Sequence, residues 1–75
     1  MPKLNIVGWR EGLLKISMTQ VLHERLPLSV KDAKGCVDDV LDGKVISFEL
    51  GDRAEAESLS NALKEVGATV EIEGD

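Results

Sequence analysis

Apolar residues recur along this chain with two periods, and the switches between them mark six elements. From Lys3 to Arg10 the alternation has period two, which predicts a strand with Leu4, Ile6 and Gly8 on one side and Asn5, Val7 and Trp9 on the other. Glu11-Gly12 breaks it. From Leu13 to about Arg25 the period becomes helical, with Leu14, Met18, Val21, Leu22 and Arg25 on the inward side. Leu26 precedes Pro27 and is pushed out of the helical region, so the helix ends there. A second helix starts at once. Ser29 takes the N-cap, Asp32 the third helical position, and Leu28 can staple onto Ala33. Val30, Ala33, Val37, Val40 and Leu41 form its apolar stripe, and Gly43 stops it.

Lys44 to Leu50 reads as the next strand, with Ile46, Phe48 and Leu50 inward and Val45, Ser47 and Glu49 outward. Asp52 then caps a third helix with Glu55 as its capping-box acid. Ala56, Leu59, Ala62, Leu63 and Val66 line one face of it, and Gly67 suits the left-handed position that closes a helix. Val70 and Ile72 alternate with Thr69, Glu71 and Glu73 in the last strand. The order strand, helix, helix, strand, helix, strand fits a two-layer α+β sandwich over residues 1–75 as one domain. A right-handed crossover makes the last two strands parallel. The first strand then fits between them, antiparallel to both.

Composition narrows the function classes. Apolar residues make up 43% of the 75 and charged residues 31%, as in ordinary globular domains. No apolar run reaches the roughly 18 residues that span a bilayer, and the first residues lack a signal-peptide pattern. A single cysteine allows neither an internal disulfide nor a cysteine metal cage. These features together predict a cytoplasmic protein. The net charge of −5 is unevenly spread. Residues 1–34 hold six basic and three acidic residues, and residues 35–75 hold three basic and eleven acidic ones. The acidic half disfavours nucleic acid and anionic membranes, while the basic half favours an acidic protein partner.

Candidate chemistry is sparse. Cys36 and His23 are the residues a reactive-thiol enzyme would use, but the sequence puts no base on the cysteine's face, and a small buried hydrophobe is its expected role. His23, alone of its kind, lacks the companions a zinc site needs and is expected to face solvent or a partner. Asp38, Asp39 and Asp42 lie at a helix end rather than on a calcium-binding loop. Trp9 is expected on the open side of the sheet, under a loop or at a contact. No glycine-rich phosphate loop is present, and the turn Leu26-Pro27-Leu28-Ser29 lacks the GXXG clamp of an RNA-binding KH module. The reading is non-catalytic, with no cofactor and no metal.

Two stretches carry a family resemblance: LSVKDAK at Leu28–Lys34, and AESLSNALKEVGATVEI at Ala56–Ile72. The matching positions are Leu28, Lys31, Ala33 and Lys34 in the first. In the second they are Ala56, Glu57, Leu59, Ala62, Leu63, Glu65, Gly67, Ala68, Val70 and Glu71. On these residues the chain resembles the carboxy-terminal globular domain of the bacterial ribosomal stalk protein, over roughly residues 4–73. The adaptor of the Clp protease is a more distant relative of the same fold. The stalk resemblance implies a face on the first two helices that recruits translational GTPases such as elongation factors. Carried over, that face is Lys15, Ile16, Thr19, Gln20, His23, Ser29, Lys31 and Lys34. Lys15, Lys31 and Lys34 keep the family's lysines. Gln20 replaces a lysine, His23 an arginine, Thr19 an isoleucine, and Pro27 and Ser29 each a glycine.

Overall fold

A computed structural model describes residues 2–74; residues 1 and 75, which the sequence reading includes in its domain, lie outside the described residues. Three strands and three helices follow in the predicted order: β1 (Lys3–Trp9), α1 (Lys15–Arg25), α2 (Val30–Leu41), β2 (Ile46–Glu49), α3 (Arg53–Glu65) and β3 (Ala68–Glu73). The sheet order is β2-β1-β3, and β1 is antiparallel to both neighbours. The α+β architecture with the first strand central is therefore as predicted.

Local chemistry explains several helix ends. The Asp52 carboxylate accepts the Glu55 N–H at 2.7 Å, and the Ser29 hydroxyl accepts the Asp32 N–H at 3.1 Å. Each satisfies one of the donors that a helix leaves free at its start. Gly67 has φ +103°, the left-handed conformation that ends α3 without a Cβ clash against its own backbone. Between the layers lie Leu4 and Ile6 of β1, Met18 and Leu22 of α1, Ala33, Val37 and Val40 of α2, and Ala56, Leu59 and Leu63 of α3, all buried. Val70 of β3 and Leu50, just past β2, close the core.

Several expected placements need correction. β2 spans only Ile46–Glu49, and Val45 is exposed outside it. Helix α1 starts at Lys15 rather than Leu13. The Leu13 N–H is held by the Arg10 carbonyl and the Leu14 N–H by the Val66 carbonyl at 2.9 Å, so this segment is tied to the end of α3 before the helix can begin. Leu14, expected in the core, is in consequence 55% exposed. Arg25 is also exposed, and its guanidinium reaches α3 to donate to the Ser58 hydroxyl at 2.8 Å.

Strand β1 carries an irregularity that the alternation did not reveal. Ile6 pairs with Val70 but Gly8 pairs with Thr69, so one extra residue, Val7, is accommodated on β1. A bulge of this kind shifts the alternation by one. Trp9 is therefore set opposite the buried Ala68 instead of in the row of Asn5, and Gly8 opposite the exposed Thr69. On the uncovered face of the sheet, Asn5 is nonetheless buried. Its amide donates to the Glu73 carboxylate and accepts from the Ser47 hydroxyl at 2.6 Å, which links all three strands.

Candidate functional site

Helices α1 and α2 face each other across a groove of about 640 Å³. Lys15, Ile16, Thr19, Gln20 and His23 contribute its α1 wall and Lys34 part of its α2 wall, so six of the eight residues expected on the docking face meet here. The spacing explains why. Positions 16, 19, 20 and 23 follow the i, i+3, i+4, i+7 rule and share one side of α1. On the other side of the helix, Met18 and Leu22 are fully buried, which fixes the direction the groove-facing side must take.

Ser29 and Lys31 do not line the groove. The Ser29 hydroxyl is occupied as the α2 cap, and Lys31 is exposed next to it. Four residues join the site that sequence reading did not place there: Glu24, Val30, Val37 and Asp38. Val30 was expected in the core, yet it is 58% exposed. It is the first residue of α2, directly after the Ser29 cap and the Leu26–Ser29 turn. A solvent-facing β-branched residue at a helix start, beside lysines, is the signal that could have found it.

The groove is mixed in character. Ile16 is 79% exposed and with Val30 supplies an apolar surface that water covers in the free protein. Lys15 and Lys34 bring positive charge, and Glu24 and Asp38 bring negative charge. The Thr19 hydroxyl is already used, donating to the Lys15 carbonyl at 2.9 Å within α1. His23 Nδ1 lies 2.7 Å from the Leu28 carbonyl oxygen in the turn between the helices. A second depression, between α3 and β3, is lined mainly by polar side chains such as Arg53, Glu57, Asn61 and Lys64. It lacks an exposed apolar surface like that of Ile16.

Cys36 is half-buried on α2. Burial pushes its thiol up from the usual cysteine range, and the carboxylates of Asp39 and Asp32 push it in the same direction. The environment thus opposes the thiolate that a nucleophilic cysteine requires. Alkylation of Cys36 by iodoacetamide near neutral pH is expected to run severalfold slower than that of an unstructured cysteine peptide. A faster reaction would contradict this assignment. Of the aspartates near the end of α2, Asp39 has a local counter-charge, since Lys44 Nζ lies 3.7 Å from its Oδ1. Among the described residues, no cluster of three or more His, Cys, Asp or Glu is arranged to hold a metal ion. No helix among them is long and apolar enough to cross a membrane.

Comparison with known proteins agrees with this architecture. Residues 9–73 match the family described as the ribosomal protein L7/L12 C-terminal domain. The large ribosomal subunit protein bL12 of Staphylococcus saprophyticus is 46% identical over 61 residues, covering 81% of this chain and 48% of that protein. The bL12 of Staphylococcus aureus strain Newman is likewise 46% identical with the same coverage, and that of strain JH9 is 44% identical. The chain thus spans about half the length of these relatives. With the helix order, the central first strand and the matched 65-residue stretch in agreement, the chain belongs to the ribosomal protein L7/L12 C-terminal domain family.

Proposed function

We propose that this chain is a non-catalytic protein-docking domain of the translation apparatus, acting in the cytoplasm without a cofactor. Its partner is a translational GTPase, which presents an acidic surface to the α1–α2 groove. The observation that carries this reading is the pairing of two exposed apolar side chains, Ile16 and Val30, with Lys15 and Lys34 around a single groove. An apolar anchor supplies affinity, and the flanking charges supply steering and orientation. The curated relatives are large-subunit ribosomal proteins, which supports a partner drawn from the translation apparatus. The acidic remainder of the chain disfavours direct contact with nucleic acid or an anionic membrane.

The test is binding of a purified bacterial elongation-factor GTPase to the protein by titration calorimetry. Reversing both groove lysines (K15E/K34E) should weaken binding by at least about tenfold, which is ~1.4 kcal/mol. Lys31→Glu, a reversal outside the groove, should cost less. Exposed charges are screened over about 8 Å at physiological salt, so the wild-type affinity should fall as salt rises. Circular dichroism must show both variants folded. If K15E/K34E binds as tightly as wild type, the groove is not the docking site.

A further inference from the structure

The lining residues of the groove run from Lys15 to Glu24 along α1 and from Val30 to Asp38 along α2. The Leu26–Ser29 turn joins the two walls at the His23 and Val30 end. The geometry of this closed end decides where Val30 stands relative to Ile16 and Gln20. Core packing anchors both helices through Met18, Leu22, Ala33 and Val37, but Val30 itself is exposed and lacks that anchor.

One side chain spans the closed end. His23 Nδ1 is 2.7 Å from the Leu28 carbonyl oxygen. A carbonyl oxygen can only accept, so the hydrogen sits on Nδ1 and the ring donates. Leu28 is held from its other side as well, since its N–H donates to the Leu26 carbonyl at 2.7 Å across Pro27, whose ring restricts φ. Ser29 follows directly as the α2 cap, and Val30 is the first residue of the helix. A donor on α1 is thereby connected, through two residues, to the apolar side chain on the opposite wall.

We infer that His23 is a positioning residue of the groove: its Nδ1–H latches α1 to the Leu28 carbonyl and so sets the place of Val30 and Lys34 on the α2 wall. This deepens the docking reading and rests on it for its functional consequence. The latch leaves Nε2 as the ring's free nitrogen at the groove. Because the bond is exposed, its net worth to global folding is small. Its effect belongs to the local geometry of the turn.

Isosteric variants separate this role from charge or bulk. The amide nitrogen of asparagine can occupy the place of Nδ1, whereas that of glutamine reaches the place of Nε2. His23→Asn should therefore keep the backbone amide shifts of Leu28, Val30 and Lys34 near their wild-type values, while His23→Gln and His23→Phe should displace them. All three should unfold close to wild type. Binding of the elongation-factor GTPase should follow the same order. His23→Asn is expected within about twofold of wild type, and His23→Phe about three- to tenfold weaker.

A measurement on the wild-type protein adds a check that needs no partner. In mildly alkaline buffer, a long-range proton–nitrogen spectrum should show the Nδ1–H tautomer. Finding the Nε2–H tautomer would overturn the latch. So would unchanged turn shifts in His23→Phe, or rescue by glutamine rather than asparagine. If the wild-type protein does not bind the GTPase at all, the docking reading fails, while the tautomer and the shifts still decide the latch.

Discussion

Leu63→Ala is expected to lower the unfolding free energy by about 2–5 kcal/mol. Leu63 is fully buried on α3, in the same core as Leu4, Ile6 and Leu59. Truncation removes its transfer free energy and leaves a cavity that helix and sheet can close only in part. A single core of this size rarely supplies more than about 3–5 kcal/mol, so the variant should be partly unfolded at room temperature. Leu59→Ala, at a site almost as buried, should behave similarly. Lys64→Ala, one position further on the exposed side of α3, should change stability by less than about 0.5 kcal/mol. Urea titrations of the three variants give the comparison directly. Equal small losses at Leu63 and Lys64 would mean that the phase of α3 is wrong.

The second large effect is at Gly67. With φ +103° it costs a Cβ-bearing residue about 1–2 kcal/mol for conformation alone. The tertiary term is added to this. A Cβ built on Gly67 would meet Leu13 Cα at 2.9 Å and Leu13 N at 3.4 Å, and backbone atoms cannot rotate aside as a side chain could. Here the connection from β1 to α1 is laid against the connection from α3 to β3. Arg10 N–H donates to the Gly67 carbonyl at 2.8 Å and Leu14 N–H to that of Val66 at 2.9 Å. Relieving the clash would strain both bonds, so Gly67→Ala should cost about 2–4 kcal/mol in total. Gly43 serves as an internal reference. It has φ +90°, but nothing lies within 4 Å of its Cβ position. Gly43→Ala should show the conformational cost alone. If the two glycine variants lose equal stability, the close approach at Leu13 is refuted.

Much of the candidate site was legible because α1 is periodic. Met18 and Leu22 define its buried side, so Ile16, Thr19, Gln20 and His23 had to share another. The α2 wall was harder. The apolar stripe placed Val30 with Val37, and periodicity alone gives no sign that the first turn of that helix stays exposed while Val37 is buried. Ser29 and Lys31 were assigned to the face through family resemblance. In the structure one is occupied as a cap and the other lies beside the groove.

What the sequence determined by itself is everything governed by nearest neighbours. The caps at Ser29 and Asp52, the glycine stop at Gly67 and the alternation within β2 and β3 need only residues a few positions apart. Their energetics are the same wherever the segment lies, and these features led to the fold. Tertiary structure alone decided the features that join distant segments. The Val7 bulge depends on pairing with β3, and it moved Trp9 across from Ala68. Leu14 sits at the N-cap of α1 with its N–H on the Val66 carbonyl, and Arg25 found Ser58 on another helix. Even His23 and Leu28, five residues apart, meet only because Pro27 turns the chain back. A hydrogen-bond donor or a methyl group has no partner written into its own sequence, because which one it meets depends on where the packed core brings the remaining chain.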